Sequence, residues 1–200
     1  VSVNGEKAIN DSLIERLAFT ILNAENDSDR VKSNQQLKDL LSNELSKKNA
    51  FYHDFSGVKS ISILTPKDSS FKIFSWNIPY NNGSYSYECG ILKKETEEIE
   101  FMKAAAEDSL DYSTHSASAK SWIPFLYYEI IQKSNSFQTY YTLLGWNGNN
   151  RLTDKKIIEV LWFNKAGETK FGAPIFRKEK ERVNRMIYEY CHSFFHLQID

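Results

Sequence analysis

Apolar residues recur at helical spacing near the start of the chain and at every second position beyond it. Within residues 7–24, Leu13, Ile14, Leu17, Ala18, Ile21 and Leu22 fall on one face of a 3.6-residue period. Asn10, Asp11 and Ser12 offer N-cap chemistry, and Glu15 follows Ser12 at the spacing of a capping box. Residues 25–30 are a polar break. A second helix is expected to about Lys48, with Leu37, Leu40, Leu41 and Leu45 on one stripe. Two amphipathic helices on a short link form an αα-hairpin, which must lay its apolar stripes on another surface.

From about residue 57 the period becomes two. Ser60 to Ile63 alternates, a turn follows at residues 66–70, and Phe71, Ile73 and Ser75 alternate with Lys72, Phe74 and Trp76. Asn81-Asn82-Gly83 is a hairpin signal, because these residues tolerate positive φ, and residues 85–92 read as the returning strand. Residues 95–110 fit a strand entering a helix, and the small polar residues 113–121 read as a loop. Strands are expected at 122–131 and 137–146, either side of a polar turn, with a second turn at Asn147-Gly148-Asn149-Asn150. Residues 156–163 suit a strand or a short helix, since Thr153 and Asp154 sit where caps would. A strand kinked at Gly172 is expected over 170–176, a charged connection over 177–182, and a closing alternating segment over 183–197. Strands closely spaced, without long helices between them, favour an antiparallel sheet. The expectation is a single α+β domain over residues 1–200, with a helical segment at 1–50 and a β-rich body at 51–200.

Composition narrows the function classes. Two hundred residues with 25 basic and 26 acidic side chains carry a net charge of -1. That balance offers no cationic excess for phosphates, so nucleic acid is not expected as a partner. No apolar run is long enough to span a bilayer as a helix. The chain opens on Val1 without a basic and apolar leader, which reads as a mature or trimmed form and leaves room for an export signal already removed. Cys89 and Cys191 cannot make a Cys-x-x-Cys pair. They read as two separate buried thiols, with one disulfide as the alternative.

Familiar catalytic signatures are missing from the sequence: no Gly-x-Ser-x-Gly, His-Glu-x-x-His, phosphate loop or Gly-x-Gly-x-x-Gly. Ser69-Ser70-Phe71-Lys72 matches Ser-x-x-Lys but sits on a turn entering a strand, where the lysine would not fall beside the serine. His192 and His196 share a face and could begin a zinc site, yet no third ligand is visible nearby; no metal and no cofactor are expected. His53 and Asp54 are neighbours in sequence, which does not bring their side chains together. His115 lies among loop hydroxyls. Glu95, Glu97, Glu98 and Glu100 read as a solvated charged edge.

Aromatic residues are the one compositional lean, at 14%. Tyr188, Tyr190 and His192 would line one strand face, and Asn147 and Asn149 flank Trp146. With Trp76, these seven residues make the candidate ligand-binding set, since exposed Tyr and Trp can stack on a sugar or grip a peptide. The competing reading is that the rings fill the core and form cross-strand pairs.

Five stretches carry a resemblance: residues 61–76, 122–131, 141–149, 155–163, and 170–176 followed by 185–190. Tyr-Thr-Leu-Leu-Gly-Trp-Asn-Gly at 141–148 is the most specific. Over residues 58–200 the chain resembles an uncharacterised exported protein family of Bacteroidetes-type bacteria. The resemblance implies a periplasmic, outer-membrane-associated or secreted setting and continuation past Asp200. It brings no activity and no functional residues.

Three functions follow as expectations. The first is a noncatalytic envelope or secreted domain that binds a glycan, peptide or protein partner through an aromatic β surface. The second is an assembly protein docking through its N-terminal helices. The third is a hydrolase whose site, drawn from His115, His192, His196 and acidic residues near Glu98, is assembled only by folding.

Overall fold

The computed structural model describes residues 8–105 and 113–191. Its helices are α1 (Asp11–Asn23) and α2 (Asp27–Leu45), followed by a short 3-10 turn at Ala50–Tyr52. The strands are β1 (Ser62–Leu64), β2 (Phe71–Pro79), β3 (Tyr85–Lys93), β4 (Ile99–Phe101), β5 (Ala117–Ser118) and β6 (Leu126–Ser134). They continue as β7 (Thr139–Asn147), β8 (Thr153–Phe163), β9 (Thr169–Phe171), β10 (Phe176–Lys178), β11 (Glu181–Val183) and β12 (Arg185–Cys191). The fold is α+β, with the helical hairpin packed on antiparallel strands.

Two sheets lie behind the helices. The first runs β1-β2-β3-β4; the second runs β5-β9-β8-β7-β6, with β12 beside the N-terminal half of β8. The first sheet is the middle of three layers, and its two faces show why. Phe74, Trp76, Ile78 and Leu92 pack with Ile14, Ala18, Ile21, Leu37, Leu41 and Leu45 of the helices. Phe71, Ile73, Cys89 and Ile91 point the other way, into a second core with Trp122, Tyr127, Leu143, Ile157 and Phe171. Period two places Phe71 and Ile73 on one side and Phe74 and Trp76 on the other, and each side finds its own apolar cover.

The helices therefore spend their apolar stripes on their own sheet, which removes the motive for docking through them. Asn10, not Ser12, is the N-cap of α1; its side chain accepts from the Leu13 amide at 3.0 Å. Glu15 does not reach back as a capping-box residue. It accepts from the Lys59 amide at 2.7 Å, the Ser60 amide at 2.9 Å and the Ser60 hydroxyl at 2.6 Å, tying α1 to the entry of the first sheet. Partial burial works to raise the Glu15 carboxyl, but these hydrogen bonds outweigh it and hold the group below its usual range. Such a group stabilises the fold above its unfolded pKa, and the stabilisation is lost as pH falls through the lower folded value. Glu15→Gln should cost about 1 kcal/mol near neutral pH. In urea unfolding, the gap to wild type should close below about pH 4; a gap unchanged at pH 3 would show that charge plays no part.

Other elements depart from the sequence expectation for local reasons. Residues 102–105 are not helical; Ala104 makes a parallel bridge with Trp122. Thr153 and Asp154 lie inside β8 and cap nothing. The strand expected over 170–176 ends at Phe171, because Gly172 takes a φ of 80°. The charged connection at 177–182 is a hairpin, β10 with β11, turned at Glu179 with a φ of 54°. Both thiols are free: Cys89 is buried, and Cys191 is exposed at the end of β12. Burial, then the nearby Glu159 carboxylate, pushes the Cys89 thiol well above its usual range, so it stays protonated and inert.

A fully buried polar chain crosses the second core. The Trp122 indole donates to the Tyr127 hydroxyl at 2.8 Å, which donates to Glu159 Oε1 at 2.6 Å. Arg185 Nε donates to Glu159 Oε2 at 2.9 Å, and both side chains are 0% exposed. Arg185 also donates to the His115 carbonyl at 2.7 Å, which pins the loop before β5. Burial pushes the Glu159 carboxyl up, while the guanidinium opposes the rise.

Candidate functional site

The second sheet meets the first closely along Tyr141 and Leu143 but leaves a cleft at the other end. Successive cross-strand rows run outward on its inner face. Leu143, Glu159 and Arg185 share one register row, and Gly145, Ile157 and Ile187 share the next. The outermost row is polar: Asn147 on β7, Lys155 on β8 and Glu189 on β12. Facing it, β3 presents Tyr85 and Tyr87, and the segment at 123–125 closes one end with Ile123, Pro124 and Phe125. The cavity between these walls is about 590 Å³, within the ~300–1,000 Å³ common for small-ligand pockets.

Most polar groups in the cleft are held by partners. Asn147 donates to the Pro124 carbonyl at 2.9 Å and accepts from the Asn149 amide at 2.7 Å, which folds the 147–150 turn over the cleft rim. Asn149, with a φ of 36°, donates to the Thr153 hydroxyl at 2.7 Å and to Glu189 Oε1 at 3.1 Å. The same Glu189 oxygen accepts from the Thr153 hydroxyl at 2.6 Å. The Tyr87 hydroxyl accepts from the Gly148 amide at 2.7 Å, and its burial pushes the phenol well above the ordinary range. Gly148 is required for close approach: a Cβ there would lie 2.5 Å from the Tyr85 ring.

Of the seven residues singled out from sequence, the six that are described go to four places. Asn147 and Asn149 line the cleft. Trp146 sits at its rim, edge-on to Tyr85 with ring centroids 5.4 Å apart. Tyr188 and Tyr190 lie on the opposite face of β12 from Ile187 and Glu189. Tyr188 is 55% exposed there. The Tyr190 phenol is raised by partial burial and by Asp154, and the Trp146 indole hydrogen-bonds to it. Trp76 is a correction. At 1% exposure it belongs to the helix–sheet core, where its indole donates to Asn34 at 2.8 Å; an alternating strand buried on both faces hides it from any ligand. His192, with His196, lies outside the described residues.

Tyr85, Tyr87, Phe125, Lys155, Ile187 and Glu189 complete the cleft and were not singled out from sequence. A signal existed for two of them, since the period that puts Tyr188 and Tyr190 on one face of β12 puts Ile187 and Glu189 on the other. Nothing local ties β3 to β8.

Among the described residues, the groups considered for catalysis do not converge in the cleft. His115 is in the loop before β5, and Glu100 is held by the Thr169 hydroxyl at 2.8 Å and Lys93 at 3.4 Å. His53 and Asp54 do come together, with Asp11, their ligating atoms within 4.8 Å of one another. The cluster satisfies itself: His53 Nε2 is 2.7 Å from Asp11 Oδ1, and Asp54 accepts from the Ser56 amide at 2.9 Å. It straps the start of α1 to the chain after the 3-10 turn.

Comparison with models of protein families, with curated proteins and with solved structures finds no match for this chain.

Proposed function

We propose that this chain is a noncatalytic binding domain. It takes a polar ligand, a glycan or a short peptide, in the cleft between β3 and the β7-β8-β12 end of the second sheet. The observation that carries the reading is the convergence of ring-rich walls with one polar cross-strand row, Asn147-Lys155-Glu189, at a single opening. Apolar walls supply affinity and a few placed polar groups set orientation. The exported-family resemblance of residues 58–200 supports a periplasmic, outer-membrane-associated or secreted setting, where a partner would be another envelope component.

A panel of oligosaccharides of three to six units and of tripeptides tests this, read by intrinsic fluorescence and thermal shift. Trp146 on the rim is the reporter. At least one compound should bind and raise the melting temperature, as mass action requires. Tyr85→Ala should weaken that binding tenfold or more, and Tyr188→Ala, on the opposite face, should leave it unchanged. Binding lost in Tyr188→Ala but kept in Tyr85→Ala would move the site to the outer face. No binding by any compound would remove the reading.

A further inference from the structure

The polar row of the cleft holds an oppositely charged pair that does not pair. Lys155 and Glu189 are direct register partners across β8 and β12, and both line the cavity. Opposite charges so placed normally close into an ion pair. Here the Thr153 hydroxyl and the Asn149 amide, at 2.6 and 3.1 Å, both engage Glu189 Oε1. Lys155 is half-buried as a residue, and its ammonium makes no hydrogen bond, ion pair or ring contact among the described residues. By contrast the neighbouring Lys156, on the outer face, lies 4.5 Å over the Tyr128 ring.

We propose that the cleft is specific for a sugar carrying one carboxylate, a uronic or sialic acid unit, with the carboxylate on Lys155 Nζ. This deepens the binding-domain reading and rests on it. A lysine presents a compact point charge with rotatable donors, which suits a single carboxylate. Glu189, beside it, favours hydroxyl donors and repels a second acid, so the preferred unit is hydroxyl-rich and singly charged. Tyr85 and Tyr87 give the apolar face of the ring an aromatic wall, and the Asn149 turn lies over the same mouth. A peptide carboxylate meets Lys155 equally well but offers Glu189 fewer hydroxyl donors than a sugar ring does, which favours the sugar.

Three singly charged acidic oligosaccharides, carrying glucuronate, galacturonate or N-acetylneuraminate, test the proposal. Each is compared by calorimetry with its own methyl ester, which keeps the rings and removes the charge. At least one acid should bind, and its ester should bind at least tenfold more weakly. Lys155→Met should abolish the advantage of the acid over its own ester. Glu189→Gln should tighten the acid a few-fold. Ester and acid binding alike, or an acid preference that survives Lys155→Met, would overturn the carboxylate assignment. A Tyr85-dependent neutral sugar or tripeptide, with all three acids silent, would overturn it and leave the binding-domain reading standing. Silence from acids, neutral sugars and tripeptides together would remove both.

Discussion

Arg185→Met should lower the stability of the fold by about 3–5 kcal/mol, because it strands the Glu159 carboxylate in the dry second core. Both side chains are fully buried, and among the described residues the carboxylate keeps only the Tyr127 hydroxyl once the guanidinium is gone. A loss of that size is a large fraction of the ~5–15 kcal/mol that holds a typical domain. The penalty has a defined pH dependence. Without the cation, only the Tyr127 hydrogen bond opposes the rise that burial imposes on Glu159, so the folded state prefers the protonated acid more strongly. A carboxyl whose folded pKa is raised favours folding while it is protonated, and this is lost as pH rises through the folded value. The variant should therefore be closest to wild type in acid and furthest from it at neutral and alkaline pH. Urea unfolding followed by circular dichroism gives both readings. The double change Glu159→Met with Arg185→Met should recover most of the loss, since a buried ion pair can often be replaced by apolar groups at little cost. A single-variant loss below about 1 kcal/mol would show that water reaches the pair.

Trp76→Ala should cost about 3–5 kcal/mol, the range for emptying a large buried aromatic site. The ring touches nothing in the cleft. Its contacts lie in the helix–sheet core: the Asn34 side chain of α2 at 2.8 Å and the edge of Phe101 of β4, with centroids 6.5 Å apart. Trp76→Phe should keep most of the apolar filling and lose the indole donor, at about 1–3 kcal/mol. The two variants should expose the helical layer first. Amide exchange should quicken in α2 more than in β7 and β8, because the second core keeps all of its own contacts. Uniform quickening across α2 and β8 would mean that the two cores open as one unit. Neither variant should alter the affinity of a cleft ligand under conditions where it remains folded.

The elements themselves were largely legible. Leu37, Leu41 and Leu45 are buried at the spacing that marked them, and the Asn81-Asn82-Gly83 turn joins β2 to β3, with Gly83 at a φ of 84°. Local chemistry alone decides such features, whether a helical stripe or a residue that tolerates positive φ. Where short-range signals were balanced, tertiary pairing chose. Residues 153–163 could have been capped as a helix, but β7 on one side and β9 and β12 on the other made them the spine of a sheet.

Only a small part of the candidate site was legible. Asn147 and Asn149 announced themselves as turn residues beside a tryptophan, and they do line the cleft. Trp76 looked equally eligible, because an alternating strand gives no sign of whether one face or both will be covered. The unpaired lysine could not be seen at all. In the sequence Lys155 is one of two adjacent lysines, and only the register of β8 against β12 sets it opposite Glu189 while Lys156 turns outward.

Sequence by itself determined the helical hairpin, the strands that follow, their turns and the near-neutral charge. Each is written in residues a few positions apart, where side-chain period and backbone preference act directly. The three layers, the buried Glu159–Arg185 pair and the cleft were decided only by tertiary structure. They depend on contacts between residues far apart in the chain, such as Glu159–Arg185 at 26 positions and Tyr87–Gly148 at 61, and no local pattern encodes which distant strand a side chain will meet.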